Sequence, residues 1–320
     1  MRSGPHGSEV PRHRAGDGGE ARPRADGVSS DGRSETSTAG SFGSADVRLK
    51  LILAYDGTGF HGFAAQPGQR TVAGVLAEAI EALVRRRVTI VCAGRTDAGV
   101  HAWGQVIHLD VPATIEPHSL LRSCNKMLSP EVVVRSAVVA PWGFDARGSA
   151  VSRLYKYLIS DDLVPSPFAV RRAWHVGSPL DLRAMEQATY PLLGEHDFAS
   201  FCRRPKRAGD APEASLVRRV LRARWSRVSP GEGFSTDVGS SVVLPGALGE
   251  ATTLCFEIEA SSFCHQMVRS VVATLVEVGT HKRKAQAVMS VLAGRDRSLA
   301  ASPAPPHGLY LWRVSYGPLG

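Results

Sequence analysis

The chain has 320 residues and is 43% apolar, enough to bury the core of one large or two ordinary domains. Its net charge of +8 points to a polyanionic partner such as nucleic acid. The absence of an ~18-residue apolar run or an apolar N-terminal stretch speaks against a membrane span or secretory leader, and the five cysteines, at 92, 124, 202, 255 and 264 without a CxxC pair, argue for reduced thiols in a cytoplasmic protein.

Residues 1–46 are rich in Gly, Ser, Arg, Asp and Pro and contain one aromatic, Phe42. Such a stretch buries too little apolar surface to offset its ordering entropy and reads as a disordered tail. Its six arginines stand against seven acids, a net −1, so the remainder carries +9. From Val47 to Tyr55 apolar residues alternate, which predicts a strand with one apolar face. Asp56-Gly57-Thr58-Gly59 is a turn signal. Thr71 then caps a helix in which Val72, Val75, Leu76, Ala79, Ile80 and Leu83 recur at helical spacing. Arg85-Arg86-Arg87 closes it, as a solvated cationic cap or as a phosphate contact.

The β-branched run Val88–Val91 reads as a buried strand leading into Ala93-Gly94-Arg95-Thr96-Asp97-Ala98-Gly99-Val100-His101. Gly94 and Gly99 bracket a turn that holds a few polar side chains on a rigid edge. Spacing alone leaves two readings open. Asp97 caps the next segment in an ordinary turn, or it is a reactive carboxylate with Arg95 contacting an anionic substrate. Gln105–Asp110 reads as a strand. Asp97, His101, His108 and Asp110 crowd one stretch but lack the paired spacing of a zinc site, so no metal is expected. His101 reads instead as a hydrogen-bonding residue behind the reactive group. A helix is expected over 117–128 and a strand over 131–139.

A second unit begins near Ala150, dividing the body into 47–150 and 151–320. A strand through Arg153–Tyr157 puts Arg153, Tyr155 and Tyr157 on one face. Plain sheet packing fits this face, and so does base stacking with a phosphate contact. Asp181 caps a helix reaching Leu193. Residues 203–214 read as an exposed basic loop, Arg218 and Arg219 open a strand, and the Gly/Ser-rich stretch 229–250 reads as a mobile hairpin insertion. Thr252–Glu259 alternates as a strand. Phe263, Met267, Val271, Leu275 and Val278 predict a long buried helix over 263–279, in which Arg269 needs a partner. Leu309–Val314 reads as an edge strand, and no short-period repeat is present.

The nine residues Ala93–His101 are similar to the signature of the tRNA pseudouridine synthase A family. Tyr55–Phe63 resembles its opening motif, with Phe63 in place of the usual tryptophan, and Ala73 stands where the family has glutamine. Gly104–His108 matches GQVxH, Asn125, Leu128 and Pro130 resemble NxxLP with Ser129 inserted, and Phe144–Arg147 matches FxAR. Arg153-Leu154-Tyr155-Lys156-Tyr157 resembles the second motif, Gly194–Phe201 matches GxHDFxxF, Met267-Val268-Arg269 resembles the third motif with Gln266 departing from it, and Gly308–Leu311 matches GLYL. Ser215 and Arg218 stand where the family has threonine and arginine. The matches run from about residue 51 to 314.

The resemblance implies two similar mixed α/β domains sharing an antiparallel-rich sheet, the pseudouridine synthase fold. It implies an isomerase that converts uridine to pseudouridine at positions 38, 39 and 40 of the tRNA anticodon stem-loop. It further implies a homodimer with no cofactor. By the same resemblance Asp97 is the nucleophile, Arg269 its ion-pair partner, Tyr155 the base-stacking residue, and Arg95, Arg153 and Arg147 contacts to the flipped nucleotide and its phosphates. The competing reading is a non-catalytic RNA-binding or RNA-chaperone protein on the same scaffold. It explains the charge and the aromatics but leaves an acid in the middle of a basic site without a purpose.

Overall fold

In the computed structural model, the residues described are 45–204, 214–228 and 253–317, with the backbone of 234–235 and 241–242. The expectations for the tail, and most of those for the 203–214 loop and the 229–250 insertion, lie outside them. The first half contains β1 (Asp46–Tyr55), α1 (Val72–Val84), β2 (Val91–Cys92), β3 (His101–Pro112), α2 (Pro117–Leu128) and β4 (Val132–Ala140). The second contains β5 (Ala150–Ser160), β6 (Trp174–His175), α3 (Leu182–Thr189), β7 (Gly194–Asp197) and β8 (Val217–Val228). A separate short pair, β9 (Phe234–Ser235) and β10 (Ser241–Val242), is followed by β11 (Thr253–Ala260), α4 (Met267–Gly279), α5 (Ala287–Gly294) and β12 (Leu309–Tyr316).

Alternation in β1 buries Leu49, Leu51, Leu53 and Tyr55 and leaves the residues between them half-buried. Thr71 caps α1 by accepting from the Gly74 amide, and Asp181 caps α3 by accepting from the Ala184 amide. α4 buries eleven of its thirteen residues, among them Val271, Leu275 and Val278. At about 1.5–3 kcal/mol for each large apolar side chain fully removed from water, that burial holds the helix in the middle of the core. One apolar cluster joins α1, α4, alternate residues of β1, β5 and β11, and buried residues of β3. A smaller one lies on the opposite face of β5, around Leu154, Leu158, Tyr310 and Trp312.

One mixed, mostly antiparallel ten-stranded sheet carries both halves, in the order β4-β1-β3-β12-β5-β11-β8-β7, with β2 against β3 and β6 against β5. This mixed α/β architecture agrees with the pseudouridine synthase fold. Four expectations are corrected. β12 is not an edge strand: it lies between β3, to which it is parallel through Tyr310–His101 and Leu311–Ala102, and β5, to which it is antiparallel. The run Val88–Ile90 is not a buried strand, since pairing starts only at Val91 and Thr89 is exposed. Helix α4 starts at Met267 because Gln266 takes a left-handed backbone, φ 64°. α3 stops at Thr189, where a 3₁₀ turn holding Pro191 takes over.

The cysteines depart from expectation as well. Cys202 and Cys264, 62 residues apart in sequence, form a disulfide pair with their Cα atoms 5.7 Å apart, while Cys92, Cys124 and Cys255 are free. No helix among the described residues is long and apolar enough to cross a membrane.

Candidate active site

Asp97 sits on the loop that joins β2 to β3, next to the place where β12 joins the two halves of the sheet. The turn at 56–63 supports that loop from beneath. The Phe63 amide donates to the Thr96 carbonyl at 3.1 Å and the Gly99 amide to the Phe60 carbonyl at 3.3 Å. The buried Tyr55 and Thr96 hydroxyls meet at 2.8 Å. Two glycines in this turn are required by their surroundings. A Cβ on Gly57 would collide with the Val100 carbonyl, and Gly62, at φ +91°, would put one 2.8 Å from the Thr96 oxygen. Gln105, fully buried, donates to the Gly94 carbonyl at 2.7 Å and so fixes the entry of the loop.

Behind the loop, His101 is buried and stacks on Tyr310 with ring centroids 4.7 Å apart. Its Nδ1 lies 3.1 Å from both the Asp56 carboxylate and the Gly57 amide nitrogen. Its Nε2 lies 3.1 Å from the carbonyl oxygens of Arg171 and His307. Arg172 reaches the other oxygen of Asp56 at 2.7 Å. Burial alone would raise the Asp56 pKa, but hydrogen bonds from His101, Arg172 and Thr58 outweigh it and hold the carboxyl well below the usual carboxylate range. His108 braces the sheet in a similar way further along β3: its Nδ1 accepts from the Ala146 amide at 2.9 Å, and burial, followed by the Arg48 charge, lowers its pKa.

Two residues from the far end of the chain hold the carboxylate of Asp97. Arg269 Nη1 lies 3.2 Å from Oδ2, and its Nε donates to the Ala304 carbonyl at 2.7 Å. His265 Nε2 lies 3.3 Å from Oδ1. The carboxylate and the guanidinium are 26% and 15% exposed, so the pair is shielded but open on one side. His265 is the functional residue that sequence reasoning does not reach. Its spacing of four from Arg269 places the two on one face of the helix expected over 263–279, a usable signal, but nothing local ties that face to Asp97.

Tyr155, on β5, is buried and meets Phe263 edge-on at 5.0 Å. Its hydroxyl faces Gly94, 4.0 Å from where a Cβ would stand. Burial first, then the neighbouring Tyr55 and the Asp97 charge, push its pKa upward, so the phenol is protonated at neutral pH. Arg153 is buried beside it, and its guanidinium is occupied by the backbone: it donates to the carbonyls of Ala150, Ser261, Ala93 and Arg147 at 2.7–3.1 Å. It therefore ties the start of the Asp97 loop to the segment that leads to His265. Arg95 and Arg147 are exposed, and both charges act on the Cys92 thiol, whose pKa burial pushes up. Among the described residues no group of three or more His, Cys, Asp or Glu is arranged to hold a metal ion.

A carboxylate gripped by an arginine and a histidine, beside a buried phenol and under exposed arginines, is the kind of centre that performs nucleophilic chemistry on an anionic polymer. Residues 51–146 and 188–317 match the family model described as tRNA pseudouridine synthase, and the chain belongs to that family, whose members are isomerases of uridine in tRNA. It is 41% identical over 280 residues to the tRNA pseudouridine synthase A of Frankia casuarinae, covering 85% of this chain and 90% of that one. It is 40% identical over 292 residues to that of Mycobacterium leprae, with 86% and 91% covered. To that of Bacillus subtilis it is 35% identical over 272 residues, with 84% and 99% covered.

Proposed function

We propose that this enzyme isomerises uridines 38, 39 and 40 in the anticodon stem-loop of tRNA, with Asp97 as the nucleophile, working as a cytoplasmic homodimer without a cofactor. The observation that carries the chemistry is the grip of Arg269 and His265 on the two oxygens of Asp97. The two contacts hold and aim the carboxylate, and its exposed side leaves room for a flipped nucleotide. In the reaction Asp97 adds covalently to the target nucleotide and the N1–C1′ bond breaks. The uracil turns, a C5–C1′ bond forms, the C5 proton leaves, N1 regains a proton, and Asp97 is released. Atoms balance without redox or an outside acceptor.

Tyr155 stacks on the base, and as a protonated phenol it relays a proton through its hydroxyl without resting as phenolate. Arg95 helps hold the flipped nucleotide open and Arg147 binds phosphate, both from exposed positions. Arg153 serves by positioning, because its donors are directed at backbone carbonyls. The division at residue 150 assigns Asp97 to the first half and Arg269 to the second, so the centre is complete only when both halves are folded together. The test is tritium release from [5-³H]uridine-labelled tRNA by the purified protein, repeated with transcripts carrying cytidine at 38, 39 or 40. Release that is insensitive to all three replacements refutes the site assignment, and no release at all refutes the reaction.

A further inference from the structure

We propose that a second basic cavity, built beside the Asp97 centre by the segments 199–204, 264–266 and 295–297, seats a backbone phosphodiester of the substrate RNA; this rests on the RNA-modifying function above. The cavity measures about 450 Å³ and is walled by Arg203, Arg204, Arg295 and Arg297 together with Gln266 and Asp296. The one acid among its described lining residues is already occupied: Asp296 accepts from the Ser298 amide at 2.9 Å, capping the turn that follows. Arg297 builds the floor, donating to the carbonyls of Ala300 and Ala301 and to the Ser270 hydroxyl at 3.0–3.3 Å.

Two arginines remain available at the mouth. Arg295 is 69% exposed, and its one ion pair among the described residues, to Asp197, is long at 3.5 Å. Arg203 is exposed, and among the described residues its guanidinium makes no hydrogen bond or ion pair. Guanidinium forks match the paired oxygens of a phosphodiester. Among the described residues that line it there is no aromatic ring on which a base could stack, so the cavity suits backbone and not nucleobase. Gln266, in the wall, is also the N-cap of α4, and it makes no side-chain cap bond. The amide end of that 13-residue helix therefore adds positive potential to the same side.

The cavity is coupled to the reacting centre by short links. The Arg203 amide donates to the His265 carbonyl at 2.9 Å, and the Cys202–Cys264 bond clamps the same two segments. His265 in turn touches Asp97 at 3.3 Å. A phosphate seated here fixes the strand next to the nucleotide presented to the carboxylate.

The test is filter binding of an unmodified tRNA transcript to the full chain across a salt series, with Arg203→Gln, Arg295→Gln and the double variant. Both residues are exposed, so melting temperatures should stay within a few degrees of the parent. The double variant should bind about tenfold more weakly at moderate salt. Its slope of log K against log salt should become shallower by about 0.7–0.9 for each phosphate that the arginines neutralise in the parent, and Arg→Lys at both positions should restore most of it. Ethylation interference should show one phosphate that matters to the parent and not to the double variant. Since binding is read, an absence of turnover would leave this result standing. Unchanged slope and unchanged interference would overturn the proposal, as would saturation of the cavity by millimolar inorganic phosphate with no effect on RNA binding.

Discussion

In the proposed site Asp97 is an acid placed where RNA is to bind, and the Arg269 guanidinium lies 3.2 Å from it. In the proposed mechanism Asp97→Asn keeps the shape, removes the nucleophile, and should abolish tritium release. Binding of tRNA should stay within a few-fold, because affinity comes mainly from phosphate neutralisation. Arg269→Ala should lower both turnover and stability, the latter by about 2 kcal/mol, since it deletes a charged hydrogen bond and the clasp on the Ala304 carbonyl. Arg269→Lys should recover part of each. The double variant Asp97→Ala/Arg269→Ala should be more stable than additivity predicts, by about 0.5–3 kcal/mol in a thermal-melt cycle. Strict additivity would mean that the pair is not formed. Asp56 provides a pH signature. Its folded pKa lies below its unfolded value, so its contribution is fully present above about pH 4 and fades as pH falls through the ordinary carboxylate range toward the folded value. Asp56→Asn should therefore lower the melting temperature at pH 7, and the gap from the parent should narrow in acid.

At the scale of elements, the turn at 56–63 and the Asp97 loop behave as one unit although about forty residues separate them. Gly62→Ala places a Cβ against the Thr96 oxygen at a left-handed backbone, and should cost about 1–3 kcal/mol. If the unit is real, the same change should also depress turnover while tRNA binding is retained. A stability loss with full turnover would separate the two loops. Arg153 plays the matching part on the other side, joining the Ala93 and Ser261 carbonyls across the sheet. Its position on a period-two face with Tyr155 and Tyr157 was readable in the sequence. That its donors go to carbonyls was not, because nothing local reveals which backbone oxygens a fold leaves unpaired.

For the whole molecule the decisive feature is β12, the last strand, inserted between β3 and β5. Leu311 lies fully buried at the point where β12 meets both neighbours, paired with Ala102 and Tyr155. Leu311→Ala should cost about 2–5 kcal/mol from the forfeited transfer energy and the cavity left behind. Calorimetry should show one cooperative transition moving down as a whole. Two separated transitions would show that the halves melt independently and that β12 does not couple them.

Local chemistry was enough for the strand of β1, the capped starts of α1 and α3, the polar turn around Asp97, and the demand that Arg269 find a partner. Those features follow from periodicity, side-chain caps and desolvation cost, all of which act over a few residues. Tertiary structure alone decided that β12 is central and that Gln266 breaks the expected helix at φ 64°. It also decided that Cys202 meets Cys264, and that His265 reaches the Asp97 carboxylate from the other half of the chain. The strand order, the cysteine pair and the His265 contact are set by segments far apart in sequence, and the burial and electrostatic terms that reward such contacts exist only once the chain has closed around them.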